Sequence, residues 1–281
     1  MTYAITGASG QFAGLAAEGL LRAVDPSDVV LISRRPEALG RFAGADLRLG
    51  DFARPETLPA AFAGVDILLL TSTDAIGSRL DEQRSAIAAA AAAGVGRIIY
   101  TSVPDPVAAN PALVVPDHAG TEEALRASGV RWTALRNNLY AHMQVPTVQQ
   151  AIVSGRLFTN AGDGRTAYVT REDCAAVAVA ALTQDGHDDV AYDVTGPEAL
   201  GPDDLAALAG KLGGTPVEVV RVDDEAYVQG LLGAGLPEEA ARVVASFGAS
   251  ARGGHLARVS TTVADLTGRP PTSLAEVLGL G

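Results

Sequence analysis

Lysine is nearly missing from this chain. Its 281 residues contain 21 Lys and Arg together, and Lys211 is the sole lysine. Cysteine is as rare: Cys174 stands alone, which excludes an internal disulfide framework and fits a reducing cytoplasm. No apolar run approaches the roughly 20 residues that span a bilayer. The longest candidate, Ala86 to Gly94, reads as an alanine-rich helix. The N-terminus has no basic region and its apolar residues read as a strand, so no signal peptide is expected. Positive charge is in deficit, with a formal net charge of -12, which would repel a nucleic-acid backbone. His142, His187 and His255 show no metal-ligand spacing. Neither nucleic acid, nor a membrane, nor a metal is expected as a partner, and a homodimer is left open.

Hydrophobic residues make up 48% of the chain, enough for one large α/β domain or one domain with a small appendage. The chain begins with a short apolar run, Tyr3-Ala4-Ile5-Thr6, that meets Gly7-Ala8-Ser9-Gly10-Gln11-Phe12-Ala13-Gly14. A helical pattern follows at once. This is the strand, turn and helix that cradle a dinucleotide pyrophosphate. Gly7 permits the tight turn, Gly10 lets the backbone approach the phosphates, and Ala13 lets the helix lie on the strand. The N–H groups at the helix start then face the anion. The spacing is G-x-x-G-x-x-A, as in short-chain dehydrogenases.

Apolar strands alternate with helical patterns, which predicts a doubly wound parallel sheet, a Rossmann fold. Strands are expected at 3–6, 29–33, 47–49, 67–70, 97–101 and 131–135, with helices at 10–23, 55–63, 80–93 and 117–128. From Asn137 onward the alternation loosens. Residues 160–164 read as a turn, Thr170 as a helix cap, 191–195 as a further strand, Asp223-Asp224-Glu225 as an acidic helix start, and 202–281 as mostly helical. The division expected is a dinucleotide domain at 1–136 and a smaller substrate lobe at 137–281, interleaved with the first. Cys174, on an alanine-rich helix, is expected in the core.

Ligands of such sheets bind at the carboxyl ends of the strands. The second strand runs into Arg34-Arg35-Pro36, with no acid at its tip. An aspartate there would repel the 2′-phosphate of NADPH, whereas an arginine can pair with it. NADPH is therefore the expected cofactor, with Arg34 and Arg35 on its phosphate. Asp51 and Phe52, after the third strand, are placed to meet the adenine. Thr71, Ser72 and Thr73 follow the fourth strand and Ser102 ends the fifth, beside the nicotinamide half.

An ordinary short-chain dehydrogenase uses Tyr-x-x-x-Lys, whose lysine lowers the tyrosine pKa for proton shuttling. Four positions beyond the six tyrosines stand Gly7, Pro104, Gln144, Glu172, Gly196 and Leu231. Alcohol–ketone chemistry through that pair is excluded. His118 can titrate near neutrality and is a candidate proton donor, or else a helix-start residue that orders the loop. Ser102 and Tyr140 are the other candidate donors.

Several blocks together resemble the NmrA-like, atypical short-chain dehydrogenase family, and within it the NADPH:quinone oxidoreductases of the second type. They are Thr6 to Phe12, Ile99-Tyr100-Thr101-Ser102, His118-x-x-Thr121-Glu122, Leu135 to Tyr140, Ala161-Gly162-Asp163-Gly164 and Gly253-Gly254. The resemblance spans nearly the whole chain. It implies an NADPH-binding fold whose cleft takes a flat, conjugated acceptor. It places Gly7, Ala8, Ser9, Gly10, Gln11, Phe12 and Arg34 on the phosphates, and Ser72, Thr73, Asn138, Leu139 and Tyr140 near the nicotinamide. One departure is Asn138, where quinone reductases of this type tend to have glycine. A side chain there narrows or repolarises the pocket.

A quinone gains aromaticity on reduction, so direct hydride transfer needs positioning more than a strong acid. The expected activity is NADPH-dependent reduction of a quinone or similar conjugated carbonyl. Two alternatives stay open. One is a tailoring enzyme, reductase or monooxygenase, for aromatic polyketide-type substrates. The other is a non-catalytic sensor of NAD(P).

Overall fold

A computed structural model describes residues 1–75 and 77–280. Seven strands form one parallel sheet: β1 (Tyr3–Thr6), β2 (Val29–Ser33), β3 (Asp46–Leu49), β4 (Ile67–Leu70), β5 (Arg97–Ser102), β6 (Arg131–Asn137) and, later in the chain, β8 (Val190–Val194). Their order is β3-β2-β1-β4-β5-β6-β8. Every residue of β2, β4 and β5 is buried. Such near-continuous burial marks strands covered on both faces, the usual state of a parallel sheet. The chain winds outward from β1 in one direction and from β4 in the other. The order therefore reverses between β1 and β4, and the crevice at that switch point is where ligands of open α/β sheets bind.

Helices α1 (Gln11–Ala23), α6 (Arg171–Thr183) and α10 (Thr262–Thr267) cover one face. Phe12, Leu20, Cys174, Val177 and Val263 join Ile5, Leu31 and Leu69 in that core layer. Helices α2 (Leu58–Phe62), α3 (Arg79–Ala92) and α4 (Val115–Ala127) cover the other, where Phe62, Ile87 and Leu125 meet Val30, Leu68 and Tyr100.

The C-terminal lobe has its own core, in which Val148 of α5 (Gln144–Ser154), Leu205 of α7 (Pro202–Gly213) and Leu274 of α11 (Leu274–Val277) pack on Leu157 and Tyr168. Helices α8 (Asp224–Gly233) and α9 (Glu238–Arg252) pack together through Val228, Ala241 and Ala245. This lobe is interrupted: α6 and β8 fall within residues 137–281 yet belong to the sheet.

The structure departs from the sequence expectation at three places. A second, two-stranded parallel sheet joins β7 (Arg156–Thr159) to β9 (Glu218–Arg221). The expected helix at 55–63 splits into a 3-10 turn, Pro55–Thr57, and the short α2. Helix α4 starts at Val115, two residues before Asp117, with Pro116 in its first turn, where a proline costs no hydrogen bond. Thr170 caps its helix as expected, and the acidic start at Asp223 proves to be a cap as well. Thr170 Oγ1 accepts from Asp173 N at 3.0 Å, and the Asp223 carboxylate accepts from Ala226 N at 2.7 Å. No helix among the described residues is long and apolar enough to cross a membrane.

Candidate active site

The glycine turn lies at the switch point. Gly7 has a φ of +65°, a left-handed backbone that disfavours other residues. Gly10 N donates to Gly7 O at 2.8 Å. A Cβ on Gly10 would stand 3.2 Å from that same oxygen. Gly10 also caps α1, which has neither a side-chain cap nor an acid in its first turn. Ser9, Gly10 and Gln11 are exposed, while Ala8, Phe12 and Ala13 are buried and anchor the helix. The result is a rigid helix N-terminus whose N–H groups are open to an anion, which suits a pyrophosphate.

Ser33 ties this turn to the tip of β2. Its hydroxyl donates to Ser9 Oγ at 3.1 Å and accepts from Arg35 N at 3.1 Å. The Arg34 and Arg35 side chains are exposed there. Asp51 and Phe52, expected to meet an adenine, have other partners. The Asp51 carboxylate accepts from Ala53 N at 3.1 Å and Arg54 Nε at 3.0 Å. Phe52 is packed in the core with Leu58 and Phe62.

Threonine and serine hydroxyls tie the tips of β1, β4 and β5 together. Thr71 N donates to Thr6 Oγ1 at 2.9 Å, and Ser72 N donates to Thr101 Oγ1 at 2.8 Å. Thr101 Oγ1 passes its hydrogen to Ser72 Oγ at 3.1 Å. Three buried polar atoms nearby, Thr71 Oγ1, Thr73 Oγ1 and Asn137 Oδ1, have no hydrogen-bond partner among the described residues. A buried group left that way costs about 1–3 kcal/mol, so these atoms suit a polar ligand at the strand tips. Together with the open helix start, they fit a dinucleotide laid across the sheet.

A cavity of about 240 Å³ opens beside these tips. Ser72, Ser102, His118, Asn138, Leu139 and Tyr140 all line it, so the fold brings together candidates spread over 69 sequence positions. No charged side chain lines it among the described residues.

Each polar side chain on its wall is committed differently. His118 is buried, and its Nδ1 lies 2.7 Å from the Tyr100 hydroxyl. Burial pushes the Tyr100 phenol up, so that hydroxyl keeps its proton and can donate it to Nδ1. In the tautomer where Nδ1 accepts, the imidazole proton sits on Nε2, which has no protein partner among the described residues. Burial, aided by the nearby Arg79 cation, holds the His118 pKa down at about 3. The ring is neutral at pH 7 and cannot titrate near neutrality. Ser102 Oγ gives its hydrogen to Glu122 Oε1 at 2.7 Å. That hydrogen is not available to a substrate.

Glu122 is 1% exposed. Arg136 grips it twice, Nε to Oε1 at 3.0 Å and Nη2 to Oε2 at 2.8 Å, and Arg126 Nη2 reaches Oε2 at 2.7 Å. Burial alone would raise its pKa, but the bonds from Arg136, Ser102 and Arg126 outweigh it and hold the carboxyl below its ordinary value. The Thr-Glu and Leu-Arg-Asn blocks of the sequence thus meet in space as one ion pair, which fixes the ends of β5 and β6 beneath the cavity.

Tyr140 lies under Arg171, whose guanidinium carbon is 5.0 Å from the ring centroid. Arg171 also donates to the side chain of Gln11. One arginine thereby links the phosphate turn to the cavity wall, a connection with no signal in the sequence. Burial pushes the Tyr140 phenol up, so it is a neutral hydroxyl. Both ends of the Asn138 amide are used: Nδ2 donates to Leu256 O at 2.9 Å and Oδ1 accepts from Leu139 N at 2.8 Å. The extra side chain clamps the C-terminal segment while narrowing the pocket. Sequence reasoning missed Asn137, whose side-chain oxygen makes no hydrogen bond among the described residues, and the apolar walls Met143 and Phe247.

Comparison with known proteins follows the same lines. The NAD(P)H-binding family model matches residues 7–185. Quinone oxidoreductase 2 of Escherichia coli is 34% identical over 97% of this chain and 96% of its own. The NAD(P)H azoreductase of Xenophilus azovorans is 31% identical over 83% and 81%. The crystal structure of the Escherichia coli quinone oxidoreductase 2 complexed with NADPH superposes with a TM-score of 0.94, covering 99% of both chains. This chain belongs to the NAD(P)H-binding family, as an NmrA-like oxidoreductase of the quinone oxidoreductase 2 type.

Proposed function

We propose that the chain binds NADPH across the tips of β1, β2 and β4 and reduces a neutral, flat, conjugated acceptor, a quinone, by direct hydride transfer. The observation that carries this reading is the uncharged cavity at the switch point, walled by a neutral imidazole and a neutral phenol, in a chain without Tyr-x-x-x-Lys. When bound, the reduced nicotinamide supplies the hydride, and one proton from solvent completes the two-electron reduction of quinone to hydroquinone. Conjugated acceptors are also what the names of the quinone oxidoreductase and azoreductase relatives imply for those proteins, which supports the reading.

The chain's own residues bind and orient. The helix start at Gly10 to Phe12 holds the pyrophosphate, and Arg34 with Arg35 holds the 2′-phosphate. Thr71, Ser72, Thr73 and Asn137 position the nicotinamide end. His118 Nε2–H, its tautomer set by Tyr100, donates a hydrogen bond to the acceptor oxygen as charge grows there. Tyr140 offers a second hydroxyl donor. Ser102 acts through Glu122 to hold the cavity floor. A quinone should be reduced, and a simple secondary alcohol should not be oxidised; turnover of the alcohol would contradict the reading. The sole, buried Cys174 suits a reducing compartment, and we place the protein in the cytoplasm on that ground.

Two substitutions test the assignments. Arg34→Asp should weaken NADPH by about ten- to a hundredfold and NADH far less, the loss expected for one charged phosphate contact. Equal wild-type affinity for NADH and NADPH in a fluorescence titration would remove the basis for the assignment. His118→Ala should lower kcat by about tenfold, the worth of one neutral hydrogen bond. In the wild type, kcat should show no step from His118 between pH 5 and 8, because its folded pKa lies near 3. A fall in rate through pH 6–7 that His118→Ala abolishes would show a titrating acid instead.

A further inference from the structure

The cavity beside Tyr140 does not end at the sheet. Leu139, Met143 and Phe247 line it and equally line a second cavity, of about 320 Å³, that runs into the C-terminal lobe. Thr147 of α5, Leu205 of α7 and Leu231 of α8 form the walls of this inner chamber. No charged side chain lines it among the described residues, although 19% of the chain is charged. The nitrogen end of a buried amide on its wall is engaged: Asn160 Nδ2 donates to Asp224 Oδ1 at 2.7 Å and Ala245 O at 2.8 Å. Its walls are mainly apolar, broken by the polar ends of Gln144, Thr147, Thr166, Tyr168 and Tyr227, so most of the contact area it offers suits an apolar occupant.

Size points the same way. Ordinary ligand pockets hold roughly 300–1,000 Å³. The first cavity falls below that range even before a nicotinamide shares it. Joined through Leu139, Met143 and Phe247, the two chambers fall within it.

We infer that the acceptor carries an apolar extension: its conjugated head sits by His118 and Tyr140, and an alkyl or isoprenoid-like chain runs past Leu139, Met143 and Phe247 into the lobe. The inference rests on the quinone reading above. Each methylene that the chamber removes from water should improve affinity about fourfold. Only some of a long chain will be fully buried, so the net gain expected for a decyl chain is at least tenfold.

The test compares the ubiquinone headgroup without a tail against the same headgroup carrying a decyl chain. Both are measured with the full chain, by turnover with NADPH and, separately, by titration calorimetry with the oxidised cofactor NADP+, which cannot reduce them. The decyl compound should show at least tenfold higher kcat/KM and tighter binding. Thr147→Trp, which fills the inner chamber from α5, should erase that advantage and leave the tail-less compound unchanged. Circular dichroism and NADPH affinity check that the variant is folded. Equal kcat/KM for the two compounds, or an undiminished decyl advantage in Thr147→Trp, would overturn the inference. If neither compound turns over yet the decyl form binds more tightly and loses that in Thr147→Trp, the chamber stands and the quinone reading falls. If binding shows no preference for the tail, the chamber falls whatever the turnover.

Discussion

Valine in place of Gly10 is expected to abolish NADPH binding while leaving the fold intact. Gly10 is exposed at the start of α1, so its substitution disturbs no core contact. Its Cβ would already stand 3.2 Å from Gly7 O, a tight approach across a turn that the Gly10 N to Gly7 O bond holds at 2.8 Å. The two γ-carbons of valine add bulk over the N–H groups of α1. A phosphate oxygen must come within about 2.9 Å of those nitrogens to bond them. The valine and the phosphate cannot share that space. Affinity for NADPH should fall at least a hundredfold, while the far-ultraviolet circular dichroism spectrum stays that of the wild type. Unchanged affinity would show that the turn serves the fold alone.

Glu122→Ala should act on stability instead. It strips a carboxylate that is 1% exposed from Arg136 and Ser102, both beneath the cavity, and from the more exposed Arg126. Breaking a buried ion pair by removing one partner typically costs about 3–5 kcal/mol, because the other charge stays uncompensated. A domain of this size is stable by only about 5–15 kcal/mol. The melting temperature should therefore drop on the order of 10 °C at pH 7. The sign of the pH dependence follows from the lowered pKa of Glu122. Its contribution is present above the ordinary carboxylate pKa and is lost as pH falls through the folded value. The gap between wild type and Glu122→Ala should narrow in acid. A gap below 2 °C at pH 7 would mean that the pair contributes nothing to the fold.

The parts of this molecule that were legible in its sequence are those where one residue type answers one local demand. Gly7 and Gly10 meet backbone demands of a turn, Thr170 caps its helix through its own side chain, and the acids from Asp223 mark a helix start. The stretches Val29–Ile32 and Ile67–Leu70 are apolar throughout because both faces of the sheet are covered. Strands β7 and β9 had no such signature. Each has four residues and an exposed edge, so neither alternation nor an apolar run marks it. Within the site, the sequence could name Ser102 and His118 but not their states. Ser102 loses its hydrogen to a glutamate 20 positions away. His118 is held neutral by burial and by Arg79, which comes from a different helix. Asn137 and Asn138 are neighbours of one type, yet Asn138 satisfies both ends of its amide on the backbone while Asn137 leaves an oxygen free. Only tertiary packing separates them. Met143 and Phe247, which join the two cavities, carry no local mark at all.

The central claim is direct hydride transfer from NADPH to a quinone in an uncharged pocket, without a tyrosine–lysine acid. It is tested most directly by anaerobic turnover with purified protein and a quinone, comparing NADPH with NADPH deuterated at the transferring position of C4. One NADPH should be consumed per quinone with oxygen excluded, and the deuterated cofactor should slow the chemical step in single turnover. A quinone that oxidises no NADPH until oxygen is admitted would contradict the account and favour oxygenase chemistry. A protein that binds NADPH yet turns over in neither condition would contradict it in favour of a sensor.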